Sequence, residues 1–292
     1  MNTSVPLSDG HIPFTYQGET FQTYCKVFGH LQGRSSNPLV VLHGGPGLTH
    51  DYLLSLSDLA TSSVPVILYD QLGNGKSTHL TNKPEGFWTI DLFIDELVNL
   101  LRHFGIEDSF DILGHSWGGI LGLEFEVRRQ PVGLKHLVLT NALASVALYR
   151  EAQSRLLATF PEWVREGMAA GINDPRKYPA LKEFYAKHVC NVSPWPEEVT
   201  DSFDRVFTEE GDATVMSAPV VRGWSIIDRL HLVRVPSLVI NGPDDVSQDS
   251  TVAPLFWGIN RAKWVRQEGT SHMPFWEKRE DYMDAVRGFL SL

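Results

Sequence analysis

FDILGHSWG, residues 110–118, joins an apolar run to a helical pattern that continues to residue 129. Gly114, Ser116 and Gly118 fit G-x-S-x-G, the nucleophile elbow, in which a tight strand-to-helix turn lifts a serine hydroxyl above the edge of a sheet. The glycines leave room for the turn, which holds the serine in a strained backbone conformation. Three fixed positions are a weak signal alone, but the flanking strand and helix patterns strengthen it. Ser116 is therefore the candidate nucleophile.

Short apolar runs that end in glycine or polar residues recur along the chain, a pattern typical of buried strands followed by loops. Helical patterns lie between several of them. This alternation predicts an α/β fold with a mostly parallel sheet and helices on both faces. The predicted strands are 22–27, 38–44, 64–70, 111–116, 134–141, 235–245 and 262–269, and the clearest helices are 89–105, 118–129 and 282–292.

The alternation stops between residues 143 and 225. This stretch is rich in helix formers and aromatic residues, it is interrupted by prolines, and it has no clean strand pattern. The strand pattern then resumes near Val235. We therefore predict a helical cap subdomain at 143–225, inserted into one core domain made of 1–142 and 226–292.

A glycine-rich loop, His43-Gly44-Gly45-Pro46-Gly47, follows an early predicted strand. Such a loop can present backbone N–H groups to a developing oxyanion, and the missing side chains let a substrate carbonyl come close. We predict an oxyanion hole made by the N–H groups of Gly45 and Trp117, with Gly44 as the alternative to Gly45. No Gly-Lys-Ser/Thr follows, so the loop does not fit a phosphate-binding loop.

The histidine and the acid follow from chain order. In α/β hydrolases the order is serine, acid, histidine, and the last two follow strands. His272 is the last histidine of the chain and follows the last predicted strand, which makes it the candidate general base. The acid must hold the imidazole tautomer from the loop after the preceding strand. That loop offers both Asp244 and Asp245.

Composition excludes several other classes of protein. The formal net charge is −10, which argues against a nucleic-acid partner. No stretch approaches 18 apolar residues, so we expect no membrane span, and we see no signal peptide. Two distant cysteines do not make a disulfide framework, which fits a cytoplasmic enzyme. No histidine or cysteine cluster has metal spacing and no dinucleotide motif follows a strand, so we expect no metal and no cofactor.

The sequence resembles the proline iminopeptidase family of α/β hydrolases over nearly its whole length. The resemblance is carried by HGGPG with LTHDYLLSL (43–56), YDQLGNGKS (69–77), GHSWGG (114–119) and SHMPFWEKREDY (271–282). It implies a capped serine hydrolase that needs no cofactor and that releases an N-terminal residue from a peptide or splits an amino-acid amide. In this family the acid lies three residues after the strand-end glycine. The resemblance therefore selects Asp245, after Gly242.

The substrate pocket departs from that resemblance. The family implies acidic side chains that anchor the substrate's free amino group, and the matching positions here hold Val246 and Thr214. A buried ammonium needs a carboxylate partner, so we expect that this enzyme does not depend on a free amino group on its substrate. Asp212 and its acidic neighbours Glu209 and Glu210 are possible substitutes. We include Trp224 with Val246 and Thr214 as a candidate pocket residue.

These observations predict a serine hydrolase that cleaves a small amide or ester through an acyl-enzyme. The best single description is a proline iminopeptidase-like aminopeptidase or amino-acid amidase with a small-molecule or short-peptide substrate. One alternative is an esterase, lactonase or amidase for a neutral, apolar substrate. A non-catalytic ligand receptor on the same fold is the other.

Overall fold

The computed structural model describes residues 6–61, 63–172 and 174–291. Its strands are β1 (Leu7–Tyr16), β2 (Glu19–Phe28), β3 (Leu39–Leu42), β4 (Val66–Tyr69), β5 (Phe110–His115), β6 (Leu134–Thr140), β7 (Ser237–Asn241) and β8 (Ala262–Arg266). They form one sheet in the order β1-β2-β4-β3-β5-β6-β7-β8. β1, β2 and β4 pair antiparallel, and the pairs from β4 to β8 are parallel. The prediction of a mostly parallel sheet is confirmed.

The α-helices are α1 (Ile90–Phe104), α2 (Trp117–Arg129), α3 (Val146–Leu157), α4 (Glu162–Ala169), α5 (Lys177–His188), α6 (Glu197–Phe207), α7 (Thr214–Ser217), α8 (Asp249–Gly258), α9 (Pro274–Glu277) and α10 (Arg279–Leu290). Three 3-10 helices cover Asp51–Leu59, Glu85–Phe87 and Ile227–Leu232. Local signals set the bounds of α1. The Thr89 hydroxyl accepts the Leu92 N–H at its start, and Gly105 ends it with a positive φ of 60°.

Two apolar cores lie on opposite faces of the sheet. Side chains alternate along a strand, so β3 sends Val40 and Leu42 into one core and Leu39 and Val41 into the other. The first core takes the buried side of α1 and α2, and the second takes that of α10. Burial on both faces explains why the central strands read as continuous apolar runs.

The five helices α3 to α7 lie between β6 and β7, in the stretch for which we predict a cap. The two ends of this stretch run side by side: Ser145 and Ser225 form an antiparallel bridge, flanked by bonds from Val146 N–H to Trp224 O and from Ile226 N–H to Ala144 O, both 3.0 Å. The chain therefore leaves and re-enters the sheet at one place.

The amino-terminal strand β1 was not predicted. It has no continuous apolar run, it contains Gly10 and Pro13, and only two of its ten residues are buried, because it lies at the edge of the sheet and packs one face alone. Among the described residues, no helix is long and apolar enough to cross a membrane.

Candidate active site

Ser116 lies in the turn between β5 and α2, at the carboxyl edge of the parallel strands. Its backbone has φ 55° and ψ −118°, which is uncommon for a residue with a side chain. A strained residue of this kind costs about 1–3 kcal/mol and persists only where its surroundings hold it. Here the Ser116 N–H donates to Thr140 O at 3.0 Å. The backbone therefore presents the side chain at a fixed place above the sheet.

The elbow glycines are required by close backbone contacts. A Cβ on Gly114 would lie 2.3 Å from Gly118 O, and a Cβ on Gly118 would lie 2.0 Å from Leu42 O. Both distances are far inside van der Waals contact with backbone atoms that cannot turn away. α2 can therefore approach β3 and β5 only if these two positions have no side chain.

His272 and Asp245 form a buried pair on the loops after β8 and β7. His272 Nδ1 and Asp245 Oδ1 are 2.6 Å apart. Oδ1 also accepts the Ser247 N–H at 2.8 Å, and Oδ2 accepts Asn141 Nδ2 at 2.6 Å. Asp245 is completely buried and His272 is 6% exposed. Asp244, the other candidate, has an exposed side chain, and the structure brings Asp245 alone of the two to the imidazole.

Burial also sets the protonation of this pair. It lowers the pKa of His272 to about 3, because the imidazolium would lose its hydration. It raises the pKa of Asp245, and the hydrogen bonds from Ser247 and Asn141 oppose that rise. The imidazole is therefore neutral near pH 7, with Nδ1–H directed at the carboxyl group and a lone pair on Nε2. That is the state a general base requires.

Two backbone amides near Ser116 lack acceptors within the described chain. Trp117 is the first residue of α2, so its N–H has no partner in the preceding turn. Gly45 has φ 115°, and a Cβ there would lie 2.4 Å from Gly47 N. The Gly44 N–H, in contrast, donates to the Tyr52 hydroxyl at 2.6 Å. Gly44 as the alternative amide of the hole is therefore wrong for this structure, because that N–H is occupied.

A hydrogen-bonded chain that the sequence analysis missed joins the glycine loop to the histidine loop. The Tyr52 hydroxyl accepts from Gly44 and donates to His115 Nδ1 at 2.8 Å, and His115 Nε2 donates to the carbonyl of His272 at 2.8 Å. Burial lowers the pKa of His115 well below its ordinary value, which keeps this imidazole neutral and able to accept at Nδ1. His115 is the variable residue before the elbow serine, so only the fold reveals its partners.

One small cavity opens on these groups. Its volume is about 80 Å³, well below the 300–1,000 Å³ typical of drug-sized ligands, which favours a small acyl group. The sheet contributes Ser116, His272 and the glycine loop, and the other walls are mostly apolar. The lining residues are Gly44, Gly45, Leu48, His115, Ser116, Tyr149, Tyr185, Val189, Phe203, Phe207, Met216, Val246, His272 and Met273.

Of the three predicted pocket residues, Val246 lines the cavity, and Trp224 and Thr214 do not. Val246 is 2% exposed and lines the cavity. Trp224 does not line it, because the indole N–H donates to Glu124 Oε1 at 2.7 Å and the ring packs into the core. Thr214 does not line it either. It begins α7 with its N–H bonded to Asp212 Oδ1 at 2.9 Å, and Met216, two residues later, reaches the cavity instead.

The acidic residues near Thr214 do not line the cavity. Asp212 Oδ2 is 2.6 Å from His79 Nδ1, which ties the segment before α7 to the loop after β4. Glu209 and Glu210 are exposed. The described residues contain no group of three or more histidine, cysteine, aspartate or glutamate side chains that could hold a metal ion.

Comparison with known proteins identifies the family of this chain. The sequence pattern of the alpha/beta hydrolase fold family matches residues 37–279. The chain is 31% identical to a proline iminopeptidase of Lactobacillus delbrueckii subsp. lactis, over 97% of this chain and 98% of the relative. A proline iminopeptidase of Clostridioides difficile is 29% identical, with 98% of each chain covered.

Two crystal structures resemble the fold closely. That of VinJ has a TM-score of 0.88 and 37% identity, and that of the proline iminopeptidase of Mycobacterium smegmatis has a TM-score of 0.82 and 35% identity. Each alignment covers 97% of this chain and 98% of the other. Both likenesses extend through the helices between β6 and β7.

Proposed function

The chain belongs to the proline iminopeptidase family of alpha/beta hydrolases, and from this premise we propose that it is a serine hydrolase that releases a small acyl group from an amide or ester. The relatives are named for an aminopeptidase reaction, so an aminopeptidase-like amidase is the activity we assign first. Ser116, His272 and Asp245 carry the chemistry in this proposal.

Attack begins at the Ser116 hydroxyl. The lone pair on His272 Nε2 takes the hydroxyl proton while the oxygen bonds to the substrate carbonyl carbon. Asp245 accepts Nδ1–H throughout, which keeps the proton off Nε2 beforehand and stabilises the imidazolium that forms. The 2.6 Å bond between His272 and Asp245 supports this role.

The negative charge that develops on the carbonyl oxygen needs donors already in place. We assign these to the N–H groups of Gly45 and Trp117. In support, the described chain offers neither amide an acceptor, and Gly45 lines the same cavity as Ser116. The start of α2 adds a favourable helix dipole near the oxyanion.

Collapse of the tetrahedral intermediate completes the first half of the reaction. The imidazolium of His272 protonates the leaving amine or alcohol, and the acyl group remains on Ser116 as an ester. A water molecule, deprotonated by the same imidazole, then attacks that ester and releases the acid. The free enzyme is restored with Ser116 reprotonated.

The observation that carries this proposal is that a strained serine and an imidazole line one cavity, with a buried carboxyl group bonded to the far side of the imidazole. A fluorophosphonate probe tests it together with turnover of small acyl anilides and esters. Ser116→Ala is expected to abolish labelling and to lower turnover by about 10⁴–10⁶-fold. Ser154→Ala, at an exposed position of α3, is the matched control and should keep both the labelling and the turnover of the wild type. Turnover above a tenth of wild type in Ser116→Ala would contradict the proposal, and loss of labelling without loss of turnover would point to another nucleophile.

A further inference from the structure

The cavity beside Ser116 carries no formal charge on its walls. Among the described residues that line it, none is an aspartate, glutamate, lysine or arginine. The walls away from Ser116 come from Val189, Phe203, Phe207 and Met216, in the stretch between β6 and β7, and from Val246, on the loop after β7. A charged group placed against these side chains would lose its hydration and gain no counter-ion.

The nearby carboxyl groups are already engaged. Asp245 accepts three hydrogen bonds, from His272, Asn141 and Ser247, and lies behind the imidazole. Asp212 is bonded to His79 and to the Thr214 N–H. Neither carboxyl group lines the cavity, so neither faces an acyl group on Ser116.

Two tyrosines supply most of the polar character of the far wall. Tyr149 of α3 and Tyr185 of α5 both line the cavity, and neither hydroxyl takes part in a hydrogen bond within the described chain. Burial raises the pKa of Tyr185 to about 12 and raises that of Tyr149 further, so both phenols are neutral. A neutral phenol can donate and accept a hydrogen bond, but it cannot neutralise an ammonium.

We propose, on the premise of the proposed function, that this pocket selects a small uncharged acyl group, with Tyr149 and Tyr185 binding a neutral polar substituent on it. The enzyme then keeps the amide- or ester-cleaving chemistry of the proposed function but departs from an aminopeptidase in one respect, because it does not need a protonated α-amino group on its substrate. In this proposal, specificity comes from the helices between β6 and β7 together with Val246 on the loop after β7, and Ser116 and His272 on the sheet edge perform the chemistry.

Three 4-nitroanilides of nearly equal size test the charge preference: propanoyl, 2-hydroxypropanoyl and L-alanyl. At pH 6.5 we expect kcat/KM for both uncharged substrates to exceed that of the alanyl substrate by at least about tenfold, which corresponds to 1.4 kcal/mol. We expect the hydroxyl compound to be the best of the three. A tenfold preference for the alanyl substrate would overturn the inference.

The pH dependence of the same series separates charge from size. The α-amino group loses its proton with a pKa of about 7.7–8. The ratio of kcat/KM for the alanyl and propanoyl substrates should therefore rise about tenfold per pH unit below that value and level off above it. If a carboxylate binds the ammonium, the ratio instead falls above pH 8, and the inference fails.

Variants of the wall give a second test. Val246→Glu places a carboxylate in the cavity and should raise the alanyl-to-propanoyl ratio at pH 6.5 by at least about tenfold, whereas Val246→Gln, of the same size and without charge, should not. Tyr149→Phe and Tyr185→Phe remove only the hydroxyls. Each should lower the ratio of 2-hydroxypropanoyl to propanoyl hydrolysis about two- to tenfold, the range for one neutral hydrogen bond. An unchanged ratio in both variants would remove the phenols from the inference.

Fluorophosphonate labelling keeps the two proposals distinct. If Ser116 is not labelled, the proposed function fails. If Ser116 is labelled but none of the three substrates is hydrolysed or slows the labelling, the cavity does not take a small neutral acyl group and the further inference fails alone. The wild-type series needs no variant to fold, so the charge preference is decided whether or not Val246→Glu is stable.

Discussion

Asp245→Asn replaces one oxygen of a buried carboxyl group by an NH₂ group and removes its charge. Oδ1 accepts from His272 Nδ1 at 2.6 Å and from the Ser247 N–H at 2.8 Å, while Oδ2 accepts from Asn141 Nδ2 at 2.6 Å. All of these neighbours present N–H groups. The new amide must therefore point its own N–H groups at a donor in either orientation.

Each orientation of the new amide has a definite cost. With NH₂ toward His272, the imidazole must carry its proton on Nε2, where it cannot accept one from Ser116. With NH₂ toward Asn141, that side chain must turn over and give up its 3.0 Å bond to the Ser271 carbonyl. Both orientations lose the charge that stabilises the imidazolium. We expect kcat to fall by about 10³–10⁴-fold, the size of effect seen when an orienting carboxylate is neutralised.

Asp244→Asn is the matched control at the preceding residue. The Asp244 side chain is exposed, and the hydrogen bonds of this residue are made by its backbone, from its N–H to Thr270 O and from His188 Nδ1 to its carbonyl. We expect kcat/KM within about twofold of wild type. Both variants are compared on one anilide substrate after circular dichroism has shown that they are folded. If Asp244→Asn is the more damaging, or if Asp245→Asn keeps more than a tenth of kcat, the assignment of the acid is refuted.

Three further perturbations test separate parts of the structure. Tyr52→Phe leaves the buried Gly44 N–H and His115 Nδ1 without partners, so we expect a loss of about 1–3 kcal/mol in the free energy of unfolding and a lower kcat. If urea denaturation shows a loss below about 0.5 kcal/mol, these hydrogen bonds do not stabilise the fold. Burial lowers the pKa of His272 to about 3, so the imidazole stays neutral as the pH falls below its ordinary pKa of about 6.5. The midpoint of the acid limb of the kcat/KM profile should therefore lie below about pH 6.5, and a midpoint at about pH 7 or above would contradict this expectation. Gly118→Ala places a Cβ against a backbone carbonyl of β3 and should lower the free energy of unfolding by at least about 3 kcal/mol. Gly86→Ala, with open space around the new Cβ, should lower it by less than about 1 kcal/mol, and equal melting temperatures for the two variants would refute the packing argument.

The central sheet could be predicted from sequence because its strands are apolar on both faces. β3, β5 and β7 each lie in a short apolar run that ends at a glycine or a polar loop, and burial on both sides forces that composition. β1 could not be predicted in the same way. It pairs only with β2 and exposes one face, so it needs no continuous apolar run, and its Gly10 and Pro13 make the sequence resemble that of a loop.

The same reasoning separates the site residues that could be predicted from those that could not. Ser116 and His272 follow strands closely, so the position of the strand places the residue. Thr214 and Trp224 lie where the path of the chain depends on how helices pack, and sequence spacing alone does not say which face of α7 meets the cavity. The hydrogen bond between Tyr52 and His115 joins residues 63 positions apart, which no local pattern reveals.

The most direct measurement is the location of the acyl group during turnover. A slowly deacylating ester is mixed with the enzyme, the reaction is quenched in acid within the burst phase, and the protein is analysed by intact mass and peptide mapping. We predict one acyl group per chain, on Ser116, that is absent from Ser116→Ala and forms more slowly in Asp245→Asn, because His272 is the base for both acylation and deacylation. An adduct on another side chain, or steady hydrolysis with no adduct on Ser116, would contradict the account.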